Sequence, residues 1–424
     1  MKKASLVIKE IQEESYNDIL KVVYIDENRI EKQPQRYVEA IEKFISLYGD
    51  QEIEIYSTPG RSEVSGNHTD HQNGEVLAAA INLDNIAVVS KNDVVKVLSD
   101  DYDLKPISLD DLSKNENEVG TSEGLMRGVL ARFKELGYDI GGFNGYMTSD
   151  VLQGSGLSSS AAFEVMIGTI LSGLYNEMKV DPVVIGQVGQ YSENVYFGKP
   201  CGLMDQMACS VGSLIHIDFA DPENPIVEQL KFDLNTYGYS LCITDTKGTH
   251  TDLTPDYAAI PQEMKKAAEC FGKNFLGEVS KEEIINNITR IRDCAGDRAA
   301  LRALHFVCEN ERVKEEVDAL KKNNFPQFLT KVKESGDSSF KYLQNVYTCH
   351  DVQHQNVSIA LALSDVIFGK KGVCRVHGGG FAGTIQAFVP NYLVSNYQKE
   401  MDKIFGNGSC EVLKIRKYGG IKVL

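Results

Sequence analysis

The chain has 424 residues, no tryptophan, and 44 Lys+Arg against 60 Asp+Glu, a formal net charge of −16 with the histidines neutral. Such a length exceeds an ordinary single core and predicts two domains, and 42% hydrophobic with 25% charged residues excludes a disordered or fibrous chain. The acidic balance excludes a broad nucleic-acid surface, which needs a concentrated basic face, but not a local pocket for a small anion.

Residues 1–45 read as a polar helical lead, with Val38, Ile41, Phe44 and Ile45 at helical spacing before Gly49. Glu10, Glu13 and Glu14 interrupt any apolar stretch near the N-terminus, so no signal peptide is expected, and no window reaches the length of a membrane span. Ile53-Glu54-Ile55-Tyr56 alternates like a strand that ends at the turn Pro59-Gly60. Two apolar runs, 86–89 and 94–98, flank Lys91-Asn92-Asp93 and predict a hairpin. Residues 123–137 predict a helix stopped by glycine, 146–151 a strand, and 161–174 an apolar helix. Beyond Asp218 come a strand at 239–245, a Lys/Glu-rich helical region from 260 to 335, and strands around 372–390 and 412–415. Strand and helix runs without regular alternation predict an α+β fold. The expected division is a helical lead 1–45, an N-terminal domain 46–225 and a C-terminal domain 226–424. The nine cysteines are scattered with no C-x-x-C pair, so neither a zinc ribbon nor a disulfide framework is indicated, and a reducing cytoplasm is the expected setting.

Four segments carry chemistry. In Gly154-Ser155-Gly156-Leu157-Ser158-Ser159-Ser160-Ala161-Ala162, glycines admit a ligand close to the backbone and a helix begins at once, an arrangement that binds phosphate. It is neither Walker A nor the dinucleotide fingerprint, and the plainer alternative is a serine-capped linker. The loop 59–71 gathers Arg61, Asn67, His68, Asp70 and His71 after a strand, which suits a polyol; His68, Asp70 and His71 as metal ligands lack a partner cluster. In the third segment, Glu193 and Cys201-Gly202-Leu203-Met204-Asp205-Gln206, Asp205 is either a helix cap or a general base. The fourth, His377-Gly378-Gly379-Gly380-Phe381-Ala382-Gly383, implies a closely approached backbone.

Together, in this order, the four resemble the motifs of the GHMP small-molecule kinases, and within them the galactokinases, over nearly the whole chain from about Tyr48. The resemblance implies an S5-like N-terminal domain against a ferredoxin-like C-terminal domain, with the site in the cleft. It implies transfer of the ATP γ-phosphoryl to the anomeric hydroxyl of galactose, with Asp205 as base and Arg61 stabilising charge. Gly154, Ser155, Gly156, Leu157, Ser158, Ser159, Ser160 and Ala161 would hold the nucleotide, and Ser160 and Glu193 would hold Mg²⁺. Asn67, His68, Asp70, Gly202 and Tyr257 would contact the sugar. Family analogy suggests a monomer whose partners are the sugar and ATP. The chain departs from the pattern at Asn67 (usually Glu), His71 (usually Tyr), His377 (usually Thr) and Ala382 (usually Gly). The alternatives are a sugar-1-kinase for another aldose or an N-acetylhexosamine, or a non-catalytic sugar and ATP sensor.

Overall fold

The computed structural model describes residues 1–100, 102–151, 156–248 and 253–424, and the strands among them form two sheets. The first is built on two long antiparallel strands, Glu52–Ser65 and Glu75–Asn92. The second of these pairs with Gly142–Ser149 along one half and Leu214–Asp218 along the other, and Ile226–Leu230 extends the latter. Because helices cover both faces, apolar residues occupy both parities of the strand. Ile53, Ile55, Ile86 and Val88 face one layer; Tyr56, Ala87 and Val89 face the other.

The first of these layers is the N-terminal lead. Helices Ala4–Gln12, Asn17–Tyr24 and Gln33–Tyr48 bury Val7, Ile11, Leu20, Val23, Val38, Ile41 and Phe44 against the sheet. Residues 1–35, within the polar helical lead, therefore supply core. The opposite layer holds helices Ser122–Glu135, Ser159–Asn176 and Pro182–Tyr191. Fully buried Asp84 joins lead and sheet, accepting from Arg36 at 2.6 Å and Tyr24 at 2.8 Å, with Arg416 at 3.4 Å.

Two local expectations are corrected. The strand does not end at Pro59-Gly60: Pro59 pairs with Asp84, the register shifts between Pro59 and Arg61 and again between Glu63 and Ser65, and pairing continues to Ser65. Nor is there a hairpin at Lys91-Asn92-Asp93. Lys96–Ser99 lies parallel to Gly142–Ser149, which inserts between it and Glu75–Asn92.

The second sheet is antiparallel, in the order Val373–Val376, Thr384–Pro390, Tyr239–Asp245, Cys410–Leu413. Helix Asn356–Phe368 precedes its second strand in the chain and Val394–Phe405 its fourth, the ferredoxin-like arrangement, so the expected α+β architecture stands. One apolar cluster spans both sheets, joining Val64, Leu77 and Ile81 to Leu241, Ile243 and Phe388 through helices Asp297–Lys321 and Phe325–Ser338.

The expectation of no disulfide is overturned at one place: Cys270 and Cys294 are bridged across the ends of helices Thr254–Glu269 and Ile288–Ala295, and the other seven cysteines are free. A pairing 24 residues apart is set by helix packing, which spacing does not reveal. Among the described residues no helix is long and apolar enough to cross a membrane.

Candidate active site

Arg61 lies in the bulged part of its strand. A Cβ on Gly60 would sit 2.8 Å from the Leu157 carbonyl, so glycine there lets the strand approach the serine loop, and the Arg61 N–H donates to that carbonyl at 3.1 Å. The guanidinium grips Asp205 in the first turn of helix Met204–Val211, Nε to Oδ1 at 2.6 Å and Nη2 to Oδ2 at 2.8 Å, while Nη1 donates to the Gly156 carbonyl. The Ser158 hydroxyl also donates to Asp205. Burial pushes the Asp205 carboxyl up, but the charge and hydrogen bonds of Arg61 outweigh it and hold the group below the usual carboxylate range.

That bond redefines the serine loop. Ser158 is the residue before helix Ser159–Asn176, at φ 59° and ψ 59°, yet its hydroxyl serves Asp205 and no side chain caps the helix. The first-turn N–H groups have no intrahelical acceptor and remain for a ligand. Leu157 and Ala161 are buried, and Gly156, at φ +70°, has no room for a Cβ against the Thr384 hydroxyl. Ser159 and Ser160 border a cavity of about 860 Å³ walled by Asn85, Tyr102, Phe163 and Phe197. Gly154 and Ser155 lie outside the described residues.

Glu193 sits on the irregular helical turn Ser192–Phe197, not on a solvated helix face, and is buried. The Gln206 amide donates to Glu193 at 2.9 Å and to Glu164 at 3.0 Å, and Lys199 meets Glu193 at 3.3 Å. Among the described residues, Glu164 Oε1 and Gln206 Oε1 are buried without a hydrogen-bond partner. Burial, reinforced by Glu193, pushes the Glu164 carboxyl well up. Among the described residues no cluster of three metal-ligating side chains occurs, at His68, Asp70 and His71 or elsewhere. An orphaned carboxylate oxygen beside a second carboxylate nevertheless suits Mg²⁺, which usually takes one or two carboxylates and completes its shell with phosphate and water oxygens.

On the sugar-loop side, Gly202 abuts Asp70 so closely that a Cβ would fall 1.7 Å from Asp70 Oδ2. His68 lies near Gly379, its Nε2 3.2 Å from the carbonyl, and among the described residues its Nδ1 is buried without a partner; burial lowers its pKa to about 3, so the ring is neutral. A neutral ring that donates through Nε2 keeps Nδ1 as an acceptor. Tyr257 donates to the Gly380 carbonyl at 2.6 Å and packs edge-on to Phe381. Asn67 is different: its amide nitrogen donates to Glu63 and, at 2.7 Å, to the Gly378 carbonyl, while its oxygen accepts from Ser339 and Asn345. All its capacity is spent on the protein.

Several functional neighbours escaped the sequence reading. Glu63, buried beside Asn67, pairs with Arg375 at 2.7 Å. His377 accepts at Nε2 from the Glu63 N–H at 3.1 Å and bonds Thr384 through Nδ1 at 2.9 Å, so the departure from Thr builds a bridge between the loop 59–71 and the fourth segment. The methyl of Ala382 is accommodated opposite Gly248, whose Cβ would lie 3.1 Å from it. Glu164 did carry a signal, standing four residues after Ser160 as the lone carboxylate of an apolar helix.

Comparison with known proteins fits this geometry. Residues 42–91 match the galactokinase galactose-binding signature and residues 124–213 the GHMP kinase N-terminal domain. A galactokinase of Glaesserella parasuis is 31% identical over 84% of this chain and 93% of its own length. Another, from Streptomyces coelicolor, is 30% identical over 88% and 94%. The Lactococcus lactis galactokinase structure, complexed with galactose, superposes with a TM-score of 0.77 at 26% identity, covering 90% of this chain and 98% of that one. A Methanococcus jannaschii mevalonate kinase at 14% identity and TM-score 0.60, covering 87% and 99%, shares the fold.

Proposed function

The chain belongs to the galactokinase family of the GHMP kinases and phosphorylates galactose with ATP, and from that premise we propose how its residues divide the work. Asp205 is the base for the anomeric hydroxyl, and Arg61 fixes that carboxylate and neutralises developing charge. The C1 oxygen bonds to the γ-phosphorus as the bond to the ADP oxygen breaks, and the proton passes to Asp205. In a loose phosphoryl-transfer transition state, positioning and charge neutralisation outweigh covalent help, so a weak base held rigidly is sufficient. The observation that carries this reading is the Ser158–Asp205–Arg61 contact, which seats the acid where the serine loop meets the sugar strand.

The amides after Ser158 suit the β- and γ-phosphates, and the cavity beside Ser159 and Ser160 is large enough for the nucleoside. Mg²⁺, which the family implies, would be held by Ser160 and Glu193 with Glu164 close by, and would supply charge neutralisation at the phosphates. His68, Asp70, Gly202 and Tyr257 form the sugar wall, whereas Asn67 supports it from behind. Seven of the nine cysteines are free, which suits a reducing cytoplasm despite the single Cys270–Cys294 bridge, and we place a monomer there, divided near residue 225. Coupled ADP release with galactose, other aldoses and N-acetylhexosamines tests the reading. Galactose should turn over best; binding of ATP and sugar without turnover by any of them would overturn it.

A further inference from the structure

One polar group in the nucleotide cavity has no task yet. Asn85, in strand Glu75–Asn92 opposite Thr58 and Ser149, is 5% exposed and borders the cavity with Ser159 and Ser160. Its carbonyl oxygen is buried and accepts no hydrogen bond among the described residues. A buried acceptor left unpaired is costly, and a donor on a ligand in the adjoining cavity would relieve that cost. A carboxamide sets a donor beside an acceptor, complementary to the amino group and ring nitrogen on one edge of adenine, whereas guanine offers two acceptors on that edge. Among the lining residues Tyr102, Phe163 and Phe197 offer flat apolar surface to a purine, while Ser99, Asp103, Ser122 and Glu123 offer polar partners elsewhere in the wall.

We infer that Asn85 hydrogen-bonds the nucleobase and makes this kinase select adenine over guanine nucleotides. The inference rests on the nucleotide reading of the cavity given above. The test is calorimetric binding of ATP, GTP and dATP, without sugar, to the parent and to Asn85→Leu and Asn85→Thr. Threonine favours strands and guards against a misfolded leucine variant, and thermal melts of both check the fold. A good amide–adenine pair is worth about tenfold to hundredfold in discrimination. The parent should therefore prefer ATP to GTP by at least about tenfold, and both variants should lose most of that ratio. A parent indifferent to the base, or variants that keep the parent's ratio, would overturn the inference. So would variants in which only the ATP to dATP ratio moves, since that marks a ribose contact. If the parent binds no nucleotide at all, the reading of the cavity falls with the inference. If galactose-dependent ADP release is intact while the ATP to GTP ratio ignores Asn85, only the inference falls.

Discussion

In the proposed mechanism Asp205 serves as base while it is also ion-paired to the buried Arg61, and the two demands pull against each other. Arg61 keeps it ionised, which makes it available for a proton but a weak acceptor. Asp205→Asn preserves the shape while removing the acceptor, and general-base assistance is worth about 10²–10⁴-fold. Steady-state kinetics should show kcat down by that order with galactose binding retained; near-parental turnover would refute the base assignment. Glu193→Gln should raise the Mg²⁺ concentration needed for half-maximal rate, read from a magnesium titration, and an unchanged curve would count against that ligand. Arg375 matters for another reason, since it answers Glu63, and both are buried. Arg375→Met strands a carboxylate in the interior, with an expected loss of about 3–5 kcal/mol in denaturant unfolding. Glu63→Gln keeps the contact to Asn67 and should cost less.

The residues with a motif around them were legible: Arg61, Asp70, Gly202 and Asp205 come together across 144 positions of sequence. Asn67 was legible as a position and not as a role, because nothing in the sequence says that Glu63, Gly378, Ser339 and Asn345 would consume its amide. Glu63, Arg375 and Asn85 act through partners hundreds of positions away or through a cavity, and neither leaves a local pattern.

Among the elements, the lead behaves as a structural layer rather than an appendage. Phe44 is fully buried between the helix Gln33–Tyr48 and the first sheet. Phe44→Ala should cost about 3–5 kcal/mol, measurable as a lower denaturant midpoint; a change under about 1 kcal/mol would mean the lead is dispensable. Helical periodicity marked this element well, because the apolar stripe Val38, Ile41 and Phe44 recurs at the spacing that the packing uses. The strands were harder. Two apolar runs around Lys91-Asn92-Asp93 look like a hairpin whether or not a later strand slips between them, and Gly142–Ser149 does so only in three dimensions. Likewise Pro59-Gly60 reads as a stop until the bulges are seen to carry the strand past it.

For the molecule as a whole, acid should be the weak direction. His68, His305 and His377 line the junction between the two sheets and are neutral there; burial lowers His68 to about 3, His305 below its ordinary range and His377 well below it. In the unfolded chain each titrates near 6.5. Between those limits the unfolded state binds more protons, so stability is full above about pH 6.5 and drains away as pH falls toward 3. Glu309, held down to about 2 chiefly by Arg312 against the effect of burial, adds a further loss below its unfolded range near 4.5. Thermal melts from pH 8 to 4 should show a falling midpoint beginning near 6.5; a flat profile between 7 and 5 would contradict this account.

The apolar cluster shared by both sheets bears on how substrates arrive. Val64 and Leu77 from one sheet and Ile243 and Phe388 from the other sit in one water-free mass. Prising the halves apart like a clamshell would wet that surface, and an interface of this kind resists hinge motion. Access for substrates is therefore expected along the rims of the cleft rather than by parting the two sheets.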